Sequence, residues 1–161
     1  MAKVGLTKLG LKPNNEIKIF EFNEQSIEVK QYLPVEEKLA LISDVLTQSH
    51  DANNFSNPVK VSVFTLLEII EKYTNVNFTE KQKENVCKLY DMLVGNGFAA
   101  EVIENIPKAE YEAILEGIQQ TIESVYKYQN SILGILDSIS QDYSNINLDI
   151  DGIKDKLTNP D

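Results

Sequence analysis

The spacing of apolar residues changes at Pro34, and this change limits the folds open to the chain more than any other feature. Before it, residues 16–22 and 26–32 alternate apolar with polar side chains, which is typical of β-strands. The break at residues 23–25 has the length of a hairpin turn. After Pro34, apolar residues recur at helical spacing as far as about residue 140. The sequence therefore predicts a mainly α fold, in which an N-terminal β-hairpin precedes about five to six helices packed as one bundle-like domain; an α+β class is the alternative.

Capping and turn-forming residues set the expected helix boundaries. Pro34 suits a first helical turn, where the missing N–H costs nothing. Asn57, directly before a proline, is typical of an N-cap. Thr79 and Gln82 have the spacing of a capping box. The predicted helices span about residues 34–48, 58–73, 79–94, 98–106 and 108–140.

Three further expectations depend on the apolar pattern within these helices. Helix 58–73 has almost no polar face, so we expect it at the centre of the core, with a strand as the alternative for its β-branched start at residues 59–64. Segment 108–140 would be about 50 Å long as one helix, so it either breaks near residues 129–130 or projects from the domain. In the first helix the expected apolar face consists of Leu39, Ile42, Val45 and Leu46.

Residues 1–15 are predicted to form an extended arm, and residues 16–161 a single mainly helical domain with the hairpin at its N-terminus. Apolar residues of the arm are separated by glycines and lysines, and such a segment must dock or fray. An isolated hairpin is marginally stable, so this one must pack on the helices or join strands of a neighbouring subunit, and its edges can accept a partner's strand. The predicted partner-binding residues are Val4, Leu6, Leu9, Leu11, Ile17, Ile19, Ile27 and Val29.

Charge and composition argue against several classes of function. The 15 basic residues are all lysine, and with 25 acidic residues the formal net charge is −10. Without arginine there is no planar fork for phosphate or guanine, and the net charge opposes a nucleic-acid backbone. No apolar run reaches the ~18 residues of a membrane span. We therefore expect no direct contact with nucleic acid or membrane.

The acidic residues are concentrated towards the C-terminus. Residues 1–30 carry five lysines and four acids, residues 31–100 six and nine, and residues 101–161 four and twelve. An asymmetry of this kind indicates an interaction surface, although a solvated acidic helix face has the same composition.

Candidate chemistry along the chain is weak, and we predict no catalytic residue, no cofactor and no metal ligand. One histidine and one cysteine cannot build a Cys/His zinc site. His50, beside Asp51, is interpreted as a surface histidine, and Cys87 as a packed thiol. Residues 147–158 begin like a calcium loop but end in a threonine instead of the bidentate glutamate, so a cap on a short last helix at about 149–157 is favoured. The chain is accordingly predicted not to be an enzyme.

Residues 16–23, 27–34 and 36–42, which combine the hairpin with the start of the first helix, resemble the opening of small tail-assembly and other virion-associated proteins. Those proteins belong to tailed phages of low-GC Gram-positive hosts. Residues 73–84, 88–97 and 126–136 are similar to proteins encoded in phage structural regions.

The resemblance implies a non-enzymatic phage virion structural or assembly protein that contacts other phage proteins of the capsid, portal, neck or tail, with a homo-oligomer as a possibility. Its expected location is the host cytoplasm during assembly and then the virion. A tail assembly chaperone that is not retained in the particle is one alternative. The other is an acidic anti-defence inhibitor of a host nuclease, because an acidic C-terminal third can mimic nucleic acid.

Overall fold

A computed structural model describes residues 3–50, 56–131 and 134–136 of the chain. Its contacts divide the chain into two compact units, residues 1–118 and residues 119–161. The predicted fold class is confirmed, since the protein is mainly α with an antiparallel two-stranded hairpin near the N-terminus. The prediction that residues 16–161 form a single domain stays a prediction.

The hairpin consists of β1, Ile17–Phe22, and β2, Gln25–Lys30. Its turn contains two residues, Asn23 and Glu24, which both have positive φ, at 46° and 64°. Positive φ at both central positions is the geometry of a type I′ turn, whose twist matches that of the flanking strands. The turn places Phe20 of β1 opposite Ile27 of β2, and this register decides which side chains share a face.

Within the described ranges six α-helices are assigned after the hairpin, and three of them begin at a residue whose side chain caps the helix. The Asn57 side chain accepts hydrogen bonds from two backbone N–H groups at the start of the second helix. Thr79 and Gln82 form the predicted reciprocal capping box. Pro34 is the N-cap of the first helix and not part of its first turn. The helices are α1, Val35–Ser49; α2, Pro58–Tyr73; α3, Glu80–Lys83; α4, Val86–Gly95; α5, Phe98–Asn105; and α6, Lys108–Gln129.

Helix α2 supplies more buried side chains than any other described element, as predicted for the centre of the core. The hairpin covers part of this core with its inner face, on which Ile27 and Val29 are buried. Phe20 and Phe22, on the same face, place their ring centroids 6.3 and 5.0 Å from that of Phe98 at the start of α5. The buried residues of α2 are Val63, Thr65, Leu66, Leu67, Ile69, Ile70 and Tyr73.

The predicted helix 79–94 is instead two helices, because Asn85 interrupts it and caps α4 by accepting a hydrogen bond from the backbone N–H of Lys88 at 3.1 Å. The prediction that Cys87 is a packed thiol is wrong, since its side chain is exposed. Leu89 is buried two residues later, and a separation of two residues is about 200° around a helix. The thiol therefore points away from the core.

The expected apolar face of α1 is also wrong at one position, again because two residues two positions apart point to opposite sides of a helix. Leu39 is 63% exposed, whereas Leu41 is fully buried together with Val45. The apolar pattern contains leucine at both 39 and 41, and only one of them can face the core because they lie on opposite sides of the helix.

The sequence left open whether segment 108–140 breaks near residues 129–130 or projects as one helix. The structure has the break, since α6 ends at Gln129. No helix in the described ranges is both long and apolar enough to cross a membrane. The calcium-like residues 147–158, the expected last helix at 149–157 and Asp51 lie outside the described residues.

Candidate interaction surface

The described part of the arm is exposed along its whole length. Residues 3–15 contain one short 3₁₀ turn, Leu6–Leu9, and no buried side chain. Among the described residues, no hydrogen bond or ion pair joins residues 3–13 to the rest of the first unit. The four apolar side chains predicted to bind a partner, at positions 4, 6, 9 and 11, are between 56% and 71% exposed. The arm therefore lies on the surface, and its binding to a partner stays a prediction.

Ile17 and Ile19 extend this apolar surface onto the hairpin. They lie on the face of β1 opposite to Phe20 and Phe22, and they are 51% and 60% exposed. Their cross-strand neighbours on that face are the polar residues Lys30 and Glu28. Strand β1 therefore carries apolar side chains on both faces, and only the inner set is covered.

Ile27 and Val29 do not belong to this surface. They are 8% and 0% exposed, because the register places them on the inner face of the hairpin with Phe20. The prediction that these two residues contact a partner is therefore wrong. Of the eight predicted residues, the six in the arm and β1 are exposed and the two in β2 belong to the core.

The backbone of β1 is open along its outer edge. Gln31 donates its backbone N–H to the Glu16 carbonyl at 2.9 Å, so these two residues are a hydrogen-bonded pair of the ladder. In an antiparallel ladder such pairs alternate, which directs the N–H and C=O groups of Ile17, Ile19 and Glu21 away from β2. No described residue bonds to these outward groups, and all three side chains are exposed.

The opposite edge of the hairpin is closed. The Asn75 side chain accepts a hydrogen bond from the Glu28 N–H at 3.1 Å and donates one to the Ser26 carbonyl at 3.3 Å. Val29 also forms an isolated antiparallel bridge with Thr74. The segment after α2 thus covers β2 at Ser26, Glu28 and Val29, whereas no described residue covers the outer edge of β1.

A partly buried polar cluster holds the end of the hairpin against the helices. The Glu110 carboxylate at the start of α6 accepts hydrogen bonds from Lys38 Nζ at 2.8 Å, the Tyr73 hydroxyl at 3.1 Å and the Leu33 N–H at 3.3 Å. Burial raises the pKa of the Tyr73 hydroxyl well above its ordinary value, and the adjacent Glu110 carboxylate raises it further. Three donors on one carboxylate fix the segment after β2 to α1, α2 and α6.

Positive charge accompanies the apolar residues of the arm. Residues 1–15 contain Lys3, Lys8 and Lys12 and no acidic residue, within a chain of net charge −10. Next to the arm, Ile17 and Tyr32 line a groove of about 190 Å³ together with Lys30 and Glu37, which form an ion pair at 3.0 Å. Tyr32 was not a predicted surface residue; it is 39% exposed and its ring lies 4.3 Å from the Lys38 ammonium.

Other candidate positions give no organised chemistry. The His50 ring contacts the Leu46 carbonyl through Nδ1, and its Nε2 lies 3.5 Å from the Ser56 hydroxyl, so the ring connects the two ends of the loop between α1 and α2. A groove of about 370 Å³ beside α3 and α4 contains the buried Leu89 and half-exposed Met92. The described ranges contain no group of three or more His, Cys, Asp or Glu side chains placed to hold a metal ion.

Comparison of the chain with protein-family models, with characterised proteins and with solved structures finds no match.

Proposed function

We propose that this chain is a non-enzymatic structural or assembly protein of a tailed phage, which binds other phage proteins through its arm and the outer face of its hairpin. The observation that carries the proposal is the continuous exposure of residues 3–19, which include six large apolar side chains. Large exposed apolar patches are rare on isolated proteins and mark sites where other macromolecules bind. The sequence resemblance of the hairpin and first helix supports the phage context.

The arm and the hairpin have different roles in this proposal. The hairpin is fixed to the helical unit by its inner aromatic contacts and by the Glu110 cluster, so it provides a preformed surface. Residues 3–13 of the arm make no hydrogen bond to that unit, so they gain their ordering contacts from the partner. Its three lysines favour approach to an acidic partner surface. Retention in the particle is the version we favour, and a chaperone that leaves before completion is the alternative.

Removal of apolar side chains from the arm tests the proposal. The test variant is Leu6→Ser with Leu11→Ser, and the matched control is Val35→Ser with Val59→Ser, which removes two equally exposed apolar side chains from α1 and α2. We expect the arm variant to keep its melting temperature and to disappear from purified particles, as measured by mass spectrometry, whereas the control is incorporated.

Three outcomes separate the alternatives. Normal incorporation of the arm variant would contradict the proposed role of the arm. Absence of the unchanged protein from particles, with fewer particles formed by the arm variant, would indicate the chaperone. Salt-sensitive binding to a basic nuclease, unaffected by the arm variant, would indicate the anti-defence inhibitor.

A further inference from the structure

The open edge of β1 is complementary to itself. We propose that a second copy of this chain binds there, pairing β1 antiparallel with β1 around a two-fold axis at Ile19 and forming a four-stranded sheet. A second copy would thus be the partner that binds the hairpin, while the arm binds other phage proteins. This proposal depends on the proposed function only in treating the outer face of the hairpin as a protein-binding site.

The backbone groups determine which residues can face each other. Only Ile17, Ile19 and Glu21 direct N–H and C=O groups outward, so each must meet one of these three in the second copy. With the axis at Ile19, that residue faces its own equivalent, and Ile17 faces the second copy's Glu21 on both sides of the axis. Every outward group of one strand then meets an outward group of the other.

Charge selects this register over its neighbours. A shift of two residues in one direction places Lys18 directly opposite the second copy's Lys18, which is destabilising. A shift in the other direction places Ile17 opposite Asn23, which lies in the turn and is not extended. With the axis at Ile19, Lys18 faces Phe20, and no two like charges are directly opposite one another.

The side chains of the outer face favour the same arrangement. The two Ile19 side chains become direct cross-strand neighbours, and each Ile17 lies diagonal to the second copy's Ile19, so the pairing covers part of the exposed surface of these four isoleucines. The pairing is also closed, because Asn75 blocks the outer edge of β2 in each copy. With one open edge in each copy, pairing stops at a symmetric dimer. With two open edges in each copy, it would continue into a fibre.

The arm is a poorer occupant of this edge than a second copy. Residues 3–13 include the 3₁₀ turn, Gly10 in a left-handed conformation with φ of 61°, and Pro13, a few residues before β1. Because of these interruptions, residues 3–13 do not contain five consecutive extended residues with N–H donors. Pairing of β1 with a second copy also keeps both arms available for the other phage proteins.

Disulfide trapping in the full-length protein tests the register. Ile19→Cys is made together with Cys87→Ser, which removes the exposed natural thiol. Residues of a hydrogen-bonded pair have Cα atoms about 5.5 Å apart, which is within the range of a disulfide. We expect mild oxidation to give a covalent dimer that reduction reverses.

The matched control is Glu28→Cys in the same background, on the exposed outer face of β2. In the proposed dimer its two copies are separated by three strand spacings, about 14 Å, so oxidation should give no covalent dimer of this variant. Equal crosslinking of both variants, or of neither, would overturn the proposal. So would capture of a different protein by the Ile19→Cys thiol in place of a second copy.

Sedimentation of the unmodified chain gives an independent measurement. We expect a dimer, and we expect Ile19→Lys to raise its dissociation constant about tenfold or more, because two ammonium groups then meet at the axis. A monomer at every concentration reached would refute the dimer and leave arm-dependent incorporation untouched. A dimer whose arm variant is incorporated normally would instead refute the proposed function and leave the dimer standing.

Discussion

The two faces of β1 carry similar apolar side chains in opposite surroundings. On the inner face Phe20 and Phe22 contact Phe98 and share a layer with buried Ile27. On the outer face Ile17 and Ile19 have only polar cross-strand neighbours and remain more than half exposed. An apolar side chain in a strand is therefore buried only where a second element covers its face of the sheet. The uncovered face is where a binding partner would gain most.

The largest expected difference comes from the same substitution on the two faces. Ile27→Ala should lower the free energy of unfolding by about 2–4 kcal/mol, because it leaves a cavity in the core. Ile19→Ala should change it by no more than about 0.5 kcal/mol at concentrations where the chain is monomeric. Urea denaturation measures both. Similar losses in the two variants would show that the outer face is covered within the monomer.

The polar cluster on the inner side gives the next largest effect, which depends on pH. The folded pKa of Tyr73 is raised above its ordinary value of 10.0, so its contribution to stability is complete below that pH and is lost as pH rises towards the folded pKa. Tyr73→Phe should cost about 1–2 kcal/mol at pH 7 by removing a buried hydrogen bond.

The same variant should lose less stability than the unchanged protein when the pH is raised above 10, because no hydroxyl remains to ionise. Thermal melts of both proteins at neutral and alkaline pH check the prediction. Parallel losses would show that Tyr73 does not contribute to alkaline unfolding.

Opening the edge of β2 would test whether an open edge of the hairpin is sufficient for association of the chains. Asn75→Ala removes the two hydrogen bonds that close β2, at an expected cost of about 1 kcal/mol. It also exposes a new edge, so we expect association beyond the dimer in sedimentation experiments. Asn96→Ala, which removes a surface hydrogen bond at the end of α4, is the control and should not change the oligomeric state.

The smallest effect is expected in the turn between the two strands. Glu24 has a φ of 64°, which a residue with a Cβ adopts at a cost, so Glu24→Gly should stabilise the protein by about 0.5–1 kcal/mol. Gln25→Gly, one residue later in β2, should destabilise it by a similar amount because its backbone is already extended. A gain from both variants would contradict the assigned turn.

Local signals made much of the fold predictable. Asn57 and Thr79 cap helices with their own side chains, and such interactions depend on residues that are close in sequence. The choice between faces was harder. Leu39 and Leu41 are equally apolar, and only packing against other elements decides which is buried.

The candidate surface was predictable only where it depends on local signals such as the turn. A two-residue turn at Asn23 places Ile27 opposite Phe20, and with that register its burial could have been expected from sequence. The closure of β2 by Asn75 had no local signal, because the bonded residues are 47 and 49 positions apart. The open edge of β1 is visible only once that closure is known.

The distance in sequence between the hairpin and its cover has a consequence during synthesis. Hairpins with two-residue turns form in microseconds, whereas Phe98 follows Phe22 by 76 residues, which ribosomes add in about 4–15 s. An isolated hairpin is marginally stable, so it forms and opens during that interval, and whenever it is formed its apolar side chains are uncovered on both faces. Once residues up to Asn75 have been added, β2 can be closed, and neighbouring chains on one polysome then carry the same open edge of β1 at high local concentration. We expect the pairing of copies to begin there, before the helices of either chain are complete.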